Sequence, residues 1–492
     1  MPYATLAEFL TELQDDGELV RIPVPVDSAL ELAAITDRVA KSSPFGGPAL
    51  LFENVKNSTI PVVTNLLGSQ RRLCRSLGVA DLNELAADLD RRLQSESGGG
   101  WLDAFKLVPG WGGLSKWTPK LVKTAACQQV VRLGRDVNLW DLPTPRCWPD
   151  EPYPVITTGQ IVTSHPETGM PFLCQSPLVV TGQRELAWYD ENHEQRTIVN
   201  KAIELKQNLP VAISLGGDPA LSLAIAMPGI TDARMFAGLL RNASPELVRC
   251  RTNDLDVPAG AEIIIEGYVD AANSRSTEAH TVARGNGRYV RRELPLIQVT
   301  AITHRANPVF PAMITASPPS EESWIAHASE RMMLPLLKRL LPEIVDIHRP
   351  FCAAGRNLLF VSIRKAIDHQ ARRILNSIWG MEPLGQTKLI VIVDADIDVQ
   401  REDQVWLTVG NNACPSRDFI FSDGLARDDD YTPLSPTLGS RVGIDATRKK
   451  VGESSQPWPQ SLAMSNDIVA RISERWFEYG FEPLTSDSPN PI

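Results

Sequence analysis

Apolar and polar positions alternate with two distinct periods along the chain. In LAEFLTELQDDGE, Leu6, Phe9, Leu10 and Leu13 fall on one helical face, and Gly17 ends the helix before the strand ELVRIPVPV. Ser28 to Lys41 predicts a second helix, with Leu30, Leu32, Ile35 and Val39 at helical spacing. ALLFENV and IPVVTNLL read as covered strands. From about 125 to 310 short strands dominate, among them VITTGQIVTS, PVAISLGG and AEIIIEGYVD. Asn286-Gly287 marks a two-residue hairpin. Helix and strand then alternate again: a helix from Ser320 to Leu341, kinked at Pro335, the strand NLLFVSI, the helix KAIDHQARRILNSIWG and the strand TKLIVIVDADID. A last amphipathic helix, Asn466 to Tyr479, is expected to bury Ile468, Val469, Ile472 and Trp476, on another subunit in one version.

These patterns predict an α/β multidomain chain: an N-terminal α/β domain (1–120), a mostly β central domain (121–320) and a C-terminal α/β domain ending in a helix (321–492). A soft stretch from Ser95 to Gly113, with Gly98-Gly99-Gly100, lies near the first boundary.

Of the 492 residues, 43% are hydrophobic and 22% charged, which is globular usage. The net charge of −10 argues against a dedicated nucleic-acid binder, because phosphate contacts need clustered cations. Apolar runs fall short of the roughly 20 residues that span a bilayer, so no membrane span is expected. The N-terminus lacks the layout of a signal peptide. The seven cysteines form no CxxC and no zinc spacing, so no metal site is expected; their odd number suits a reducing, cytoplasmic compartment.

Candidate chemistry is scattered. Asp394, Asp396 and Asp398 alternate at a predicted strand end, where they show either a cation site or ordinary strand-end polarity. Ser214 to Pro219 links a strand to a helix through two glycines, as an anion-binding turn or, the better reading, a structural one. Arg284, Arg288, Arg291 and Arg292 crowd the hairpin, either to hold a phosphate or carboxylate or, preferably, to pair with nearby acids. The histidines are dispersed, and His280 beside Glu278 is the one tempting acid–base couple.

Segments in one order across almost the whole length resemble the UbiD family of decarboxylases, which use prenylated flavin mononucleotide. They include FLTELQDDGELVRIPVPVD, GGPALLFENVKNSTIPVVTNLLGS, CWPDEPYPVITTGQIVTSHPETG, PVAISLGGDPA, FAGLLR, VPAGAEIIIEGYVD, KLIVIVDADID and LGSRVGIDATRKKVGE. The resemblance implies a central split β-barrel of the flavin-reductase-like type between two α/β domains. It implies non-oxidative decarboxylation of an aromatic or α,β-unsaturated acid, with the modified flavin as electron sink. It also implies Mn²⁺ or a similar divalent ion on the cofactor phosphate, a carboxylate-binding Arg and a pair of proton-handling acids.

The chain departs from the family where those groups belong. The resemblance places Phe172 at the metal-binding Asn, Pro177 at the Arg, Tyr189 at the next metal-or-phosphate position and Ala233 at the metal Glu. Glu194 falls where a basic residue commonly faces the phosphate. The acid positions fall on Thr277 and on Val282 or Ala279, leaving Glu278 and His280 as the catalytic candidates. Phe172, Gln175, Ser176, Pro177, Tyr189 and Glu194 are therefore the candidate cavity residues, with prenylated flavin and metal predicted absent or weakly bound. The expectation is a UbiD-type carboxy-lyase whose altered motif argues against activity of its own. The alternative is a catalytically silent subunit assembling with an active UbiD-like paralogue. Homo- and hetero-oligomers both fit.

Overall fold

The computed structural model describes residues 3, 5–96, 117–191, 193–227, 232–272, 274–353, 357–381, 384–425, 430, 432, 438–460, 462 and 464–481. Most of the glycine-rich stretch between Ser95 and Gly113 lies outside them. The chain divides into two units, residues 1–365 with 370–447, and residues 366–369 with 448–492.

Helix α1 (Leu6–Asp15) begins where Thr5 Oγ1 accepts the Glu8 N–H, and Leu6, Phe9, Leu10 and Leu13 are buried as their spacing requires. Gly17, at φ 73°, turns the chain into β1 (Leu19–Ile22). Helix α2 (Glu31–Lys41) starts three residues later than predicted, after Leu30 at φ 69°, and buries Leu32, Ala33, Thr36 and Ala40. β2 (Ala49–Phe52) and β3 (Val62–Thr64) follow, then α3 (Gln70–Leu77) and α4 (Leu82–Glu96).

The large sheet has nine strands: β4 (Val130–Leu133), β5 (Val155–Ile156), β6 (Gln160–Ser164), β7 (Pro171–Gln175), β8 (Leu178–Gly182), β9 (Glu185–Trp188), β10 (Leu209–Leu215), β11 (Ile263–Val269) and, past the hairpin of β12 (His280–Arg284) and β13 (Arg288–Arg292), β14 (Leu296–His304). Its order is β5-β8-β9-β14-β11-β10-β6-β7, with β4 added to β14. Among the described residues β5 and β7 do not pair, so the sheet is an open, curled half-barrel. Three helices interrupt it: α5 (His193–Glu204), α6 (Pro219–Ala226) and α7 (Ala233–Arg241). The hairpin turn differs from expectation. Arg284 pairs with Arg288, so three residues close it, with Gly287 at φ 74° in the left-handed position that such loops need.

β15 (Phe310–Ala312) returns to pair in parallel with β3, completing the sheet β1-β2-β3-β15. Helix α8 (Glu321–Leu340) runs through Pro335. It leads to β16 (Ile344–His348), β17 (Leu358–Ile363), α9 (Gln370–Trp379), β18 (Leu389–Asp394), α10 (Glu402–Asn412), β19 (Phe419–Leu425) and β20 (Leu438–Asp445). The five strands order as β16-β17-β18-β20-β19, with the inner pairs parallel. One apolar core joins Leu6, Phe9 and Leu13 to Phe236 of α7, Met332 of α8 and Val361 and Ile392 of this sheet. A second joins Phe52 and Phe310 to Trp188, Ile213 and Ile265 of the half-barrel. Fully burying a side chain such as Phe9 contributes about 1.5–3 kcal/mol.

Within the second unit, Glu453 accepts the backbone N–H of His369 at 2.7 Å and of Lys450 at 2.9 Å. Helix α11 (Asn466–Glu474) begins at the predicted residue but buries none of its residues. Trp476, expected to be buried with it, follows in a 3-10 turn and is half-buried. Within this chain Val469 and Ile472 remain exposed.

Candidate functional site

The candidate cavity residues lie on β7, in the link to β8, just after β9 and on α5. Phe172 pairs with Thr163 across β6 and packs half-buried against the half-barrel core. Gln175 Nε2 reaches the Thr157 carbonyl at 3.5 Å. Ser176 is buried, and its hydroxyl donates to the Tyr189 carbonyl at 2.9 Å, while Tyr189 N–H donates to the Pro177 carbonyl at 3.0 Å. These bonds bring Gln175, Ser176, Pro177 and Tyr189 into one neighbourhood. Glu194, on the first turn of α5, is exposed.

Tyr189 is 1% exposed, and two guanidiniums pack on its ring, with Arg292 Cζ 4.2 Å and Arg284 Cζ 4.6 Å from its centroid. Asp190, also 1% exposed, takes Arg292 Nη2 at 2.7 Å on one oxygen and Arg275 Nη2 at 3.1 Å on the other. Arg284 pairs with Glu191. Of the four hairpin arginines, then, Arg284 and Arg292 pair with acids, while Arg288 and Arg291 are exposed. The pairing is the one the sequence favoured, but the partners are Asp190 and Glu191, and the paired arginines are held inward rather than solvated.

Glu151 ties this hairpin down. It is 2% exposed and accepts N–H groups of Cys147 at 3.2 Å, Trp148 at 3.1 Å and Ala283 at 3.0 Å. Burial raises its pKa above the ordinary carboxylate value, against the pull of those donors. His280 is buried with its ring 6.0 Å from Tyr153, and burial lowers its pKa, while Glu278 is exposed. Val282, an expected acid position, is 1% exposed in a small apolar core with Val290 and Tyr189, and Ala233 is buried in the main core.

Two other motifs resolve as structural. Asp218 caps α6 by accepting the Ala220 N–H at 2.7 Å and also pairs with Arg241, so the Ser214 to Pro219 turn is occupied by its own side chain. A Cβ at Gly216 would meet Glu262 Cγ at 2.8 Å, which accounts for glycine there. β18 ends at Asp394, and Asp396 and Asp398 lie in the following turn, where Asp398 accepts the Gln400 N–H at 2.9 Å. The three carboxylates therefore do not share a strand face.

The histidines are not all dispersed. His327 and Glu330, one turn apart on α8, meet His348 at the end of β16. His327 Nδ1 lies 3.5 Å from Glu330 Oε1, and His348 Nδ1 lies 3.5 Å from Oε2. Glu330 is fully buried; Arg331 Nη2 stands 2.8 Å from Oε1 and the Arg349 N–H donates to Oε2 at 2.5 Å. Burial alone would raise the Glu330 pKa, but His327, His348 and Arg331 together hold it well below the ordinary range. The i,i+3 spacing of His327 and Glu330 was visible in the sequence, but nothing there indicated that His348 would join them.

The sequence matches three UbiD (3-octaprenyl-4-hydroxybenzoate carboxy-lyase) domains in order: the N-terminal domain over residues 10–89, the Rift-related domain over 120–318 and the C-terminal domain over 323–446. The chain belongs to the UbiD family. A protein of Aquifex aeolicus is 37% identical over 98% of this chain and 99% of its own, and one of Archaeoglobus fulgidus is 35% identical over 97% and 99%. The fold is shared with the vanillic acid decarboxylase of Sedimentibacter hydroxybenzoicus in closed form, at TM-score 0.85 and 22% identity over 98% of this chain and 100% of that one. It is shared too with the UbiD-class enzyme HmfF of Pelotomaculum thermopropionicum, solved with FMN, at TM-score 0.74 and 24% identity over 93% and 97%. UbiD-class neighbours include an evolved dimeric form of HmfF in complex with prenylated FMN.

A cation bridging a UbiD cofactor phosphate needs oxygen or nitrogen ligands. Of the residues that the resemblance places there, Phe172 and Ala233 offer none, and Tyr189 carries two arginines near its ring that repel a cation. If the resemblance places them correctly, those residues do not fit the metal-bridged group.

Proposed function

We propose that this UbiD-family chain is a catalytically silent subunit that assembles with an active family member. The observation that carries this reading is the cluster at Tyr189 and Asp190, where two carboxylates already take up most of the charge of three guanidiniums. Its paired arginines meet the chain's own acids, where a dianionic phosphate would need uncompensated positive charge. The cavity residues Phe172, Gln175, Ser176, Pro177, Tyr189 and Glu194 are then framework, and prenylated flavin and Mn²⁺ are held weakly or not at all. The cytoplasm is the proposed compartment, consistent with seven free cysteines.

Co-expression with a prenyltransferase that makes the cofactor, followed by an absorbance spectrum and metal analysis, tests this directly. Colourless protein with no metal at the half-barrel, isolated in fixed ratio with a second UbiD-like chain, is the expected result. Stoichiometric prenylated flavin with bound Mn²⁺ would overturn it.

A second reading, a carboxy-lyase with a rebuilt site, is favoured by Glu151. A buried carboxyl whose pKa is raised beside the hairpin is the kind of group that delivers a proton. Decarboxylation by the isolated chain, lost in Glu151→Gln, would establish it; Glu278 and His280 are then its secondary candidates.

A further inference from the structure

We propose that His327, Glu330 and His348 form a divalent transition-metal centre, with Zn²⁺ as the fitting ion, that clamps α8 to the end of β16. The donor set is two imidazoles and one carboxylate, all with ligand atoms within 4.8 Å of one another. Tetrahedral Zn²⁺ with bonds of about 2.0–2.1 Å places its ligand atoms about 3.3–3.4 Å apart. The two His–Glu separations of 3.5 Å run to different Glu330 oxygens, so one ion either takes both carboxylate oxygens or draws the ligand atoms, now within 4.8 Å of one another, closer together. Both imidazole Nδ1 atoms are buried and, among the described residues, make no hydrogen bond. Two ring nitrogens facing one buried carboxylate form a donor set that a cation can occupy.

The surroundings suit that role. Arg331 Nη2 and the Arg349 N–H hold the Glu330 oxygens, and Arg331 is itself anchored on Asp346 at 2.8 Å. Glu330 and Asp346 thus supply two negative charges to one guanidinium, which leaves the pocket receptive to positive charge. On the far side of His348, Glu402 Oε1 stands 4.0 Å from Nε2, where a carboxylate favours the ring proton and leaves Nδ1 as ligand. His327 is 15% exposed and opens the entry path. Imidazole and carboxylate donors suit zinc, cobalt and nickel better than magnesium. This centre lies on other elements than the half-barrel cluster and stands whether or not the chain is silent.

The experiment is calorimetric titration of the EDTA-treated full-length protein with Zn²⁺, with Co²⁺ as a spectroscopic probe of coordination. One equivalent should bind, with nitrogen-ligand features in the Co²⁺ spectrum. His348→Gln should weaken binding by more than about 100-fold. His327→Gln, at the partly exposed position, should do the same and covers the case in which the buried variant fails to fold by circular dichroism. Cys352→Ser should leave binding unchanged. Absence of binding, wild-type affinity in the folded histidine variants, or dependence on Cys352 would each overturn the proposal.

Discussion

The half-barrel cluster and the α8–β16 cluster are built from the same ingredients and end in opposite states. At Tyr189 and Asp190, Arg275, Arg284 and Arg292 meet Asp190 and Glu191, and the cations find anions supplied by the chain. At Glu330, two histidine Nδ1 atoms stand 3.5 Å from the two oxygens of one buried carboxylate. The first cluster is filled by ion pairs between the chain's own side chains, whereas the second brings two imidazoles and a carboxylate within 4.8 Å of one another, a set that a cation can join.

The largest way to break this contrast is to put an acid back into the half-barrel. Val282→Glu places a carboxyl at 1% exposure opposite Val290. It should destabilise the protein by about 4 kcal/mol or more in urea unfolding. A variant as stable as the parent would show that the position opens to water and can host the family's proton-handling group. Arg292→Ala comes next. It strips Asp190 of its 2.7 Å partner but leaves Arg275, so the loss should be about 3 kcal/mol, the lower end for a broken buried pair. Adding Asp190→Ala should recover part of it in a double-mutant cycle.

Much of this architecture was legible because burial follows period. The α1 face Leu6, Phe9, Leu10 and Leu13 and the covered strands needed nothing beyond spacing, and family segments in one order fixed the domain types. Charge pairing was less legible. Nothing local distinguishes Arg292 from Arg291; strand alternation and the long-range approach of Asp190 decide which is held inward. His348 is 21 positions beyond His327, and only the return of β16 along α8 joins them. The Asp394 to Asp398 alternation failed for the opposite reason: a period of two is meaningful within a strand, and the strand stops at Asp394.

A third prediction compares two carboxylates on α8. Glu321 is buried and accepts the Leu67 N–H at 2.8 Å, and burial raises its pKa from its ordinary 4.5 to about 7. Its contribution to stability is therefore full below about pH 4.5 and is lost as pH rises to about 7, a change on the order of 3 kcal/mol. Glu330, held low by its neighbours, stays ionised across that window and adds no slope. Glu321→Gln should flatten the stability profile between about pH 4.5 and pH 7 in urea titrations. An unchanged slope would mean that another group titrates there.

The smallest effect comes from the hairpin's outward arginines. Arg288 and Arg291 carry the same side chain as Arg284 and Arg292, a few residues away, but are exposed. An exposed cation gains little from any single partner because water and salt screen it. Arg288→Ala should thus change stability by less than about 0.5 kcal/mol. Arg284→Ala removes a 5% exposed group from Glu191 and from the Tyr189 ring, and should cost several times more. The pair of variants also reports on assembly. In the isolated chain Arg288→Ala is near neutral; in a hetero-oligomer that covers this hairpin it should weaken association while leaving monomer unfolding unchanged. Dilution-dependent light scattering separates the two cases, and a loss above about 1 kcal/mol in the monomer itself would show that Arg288 is not on an open face.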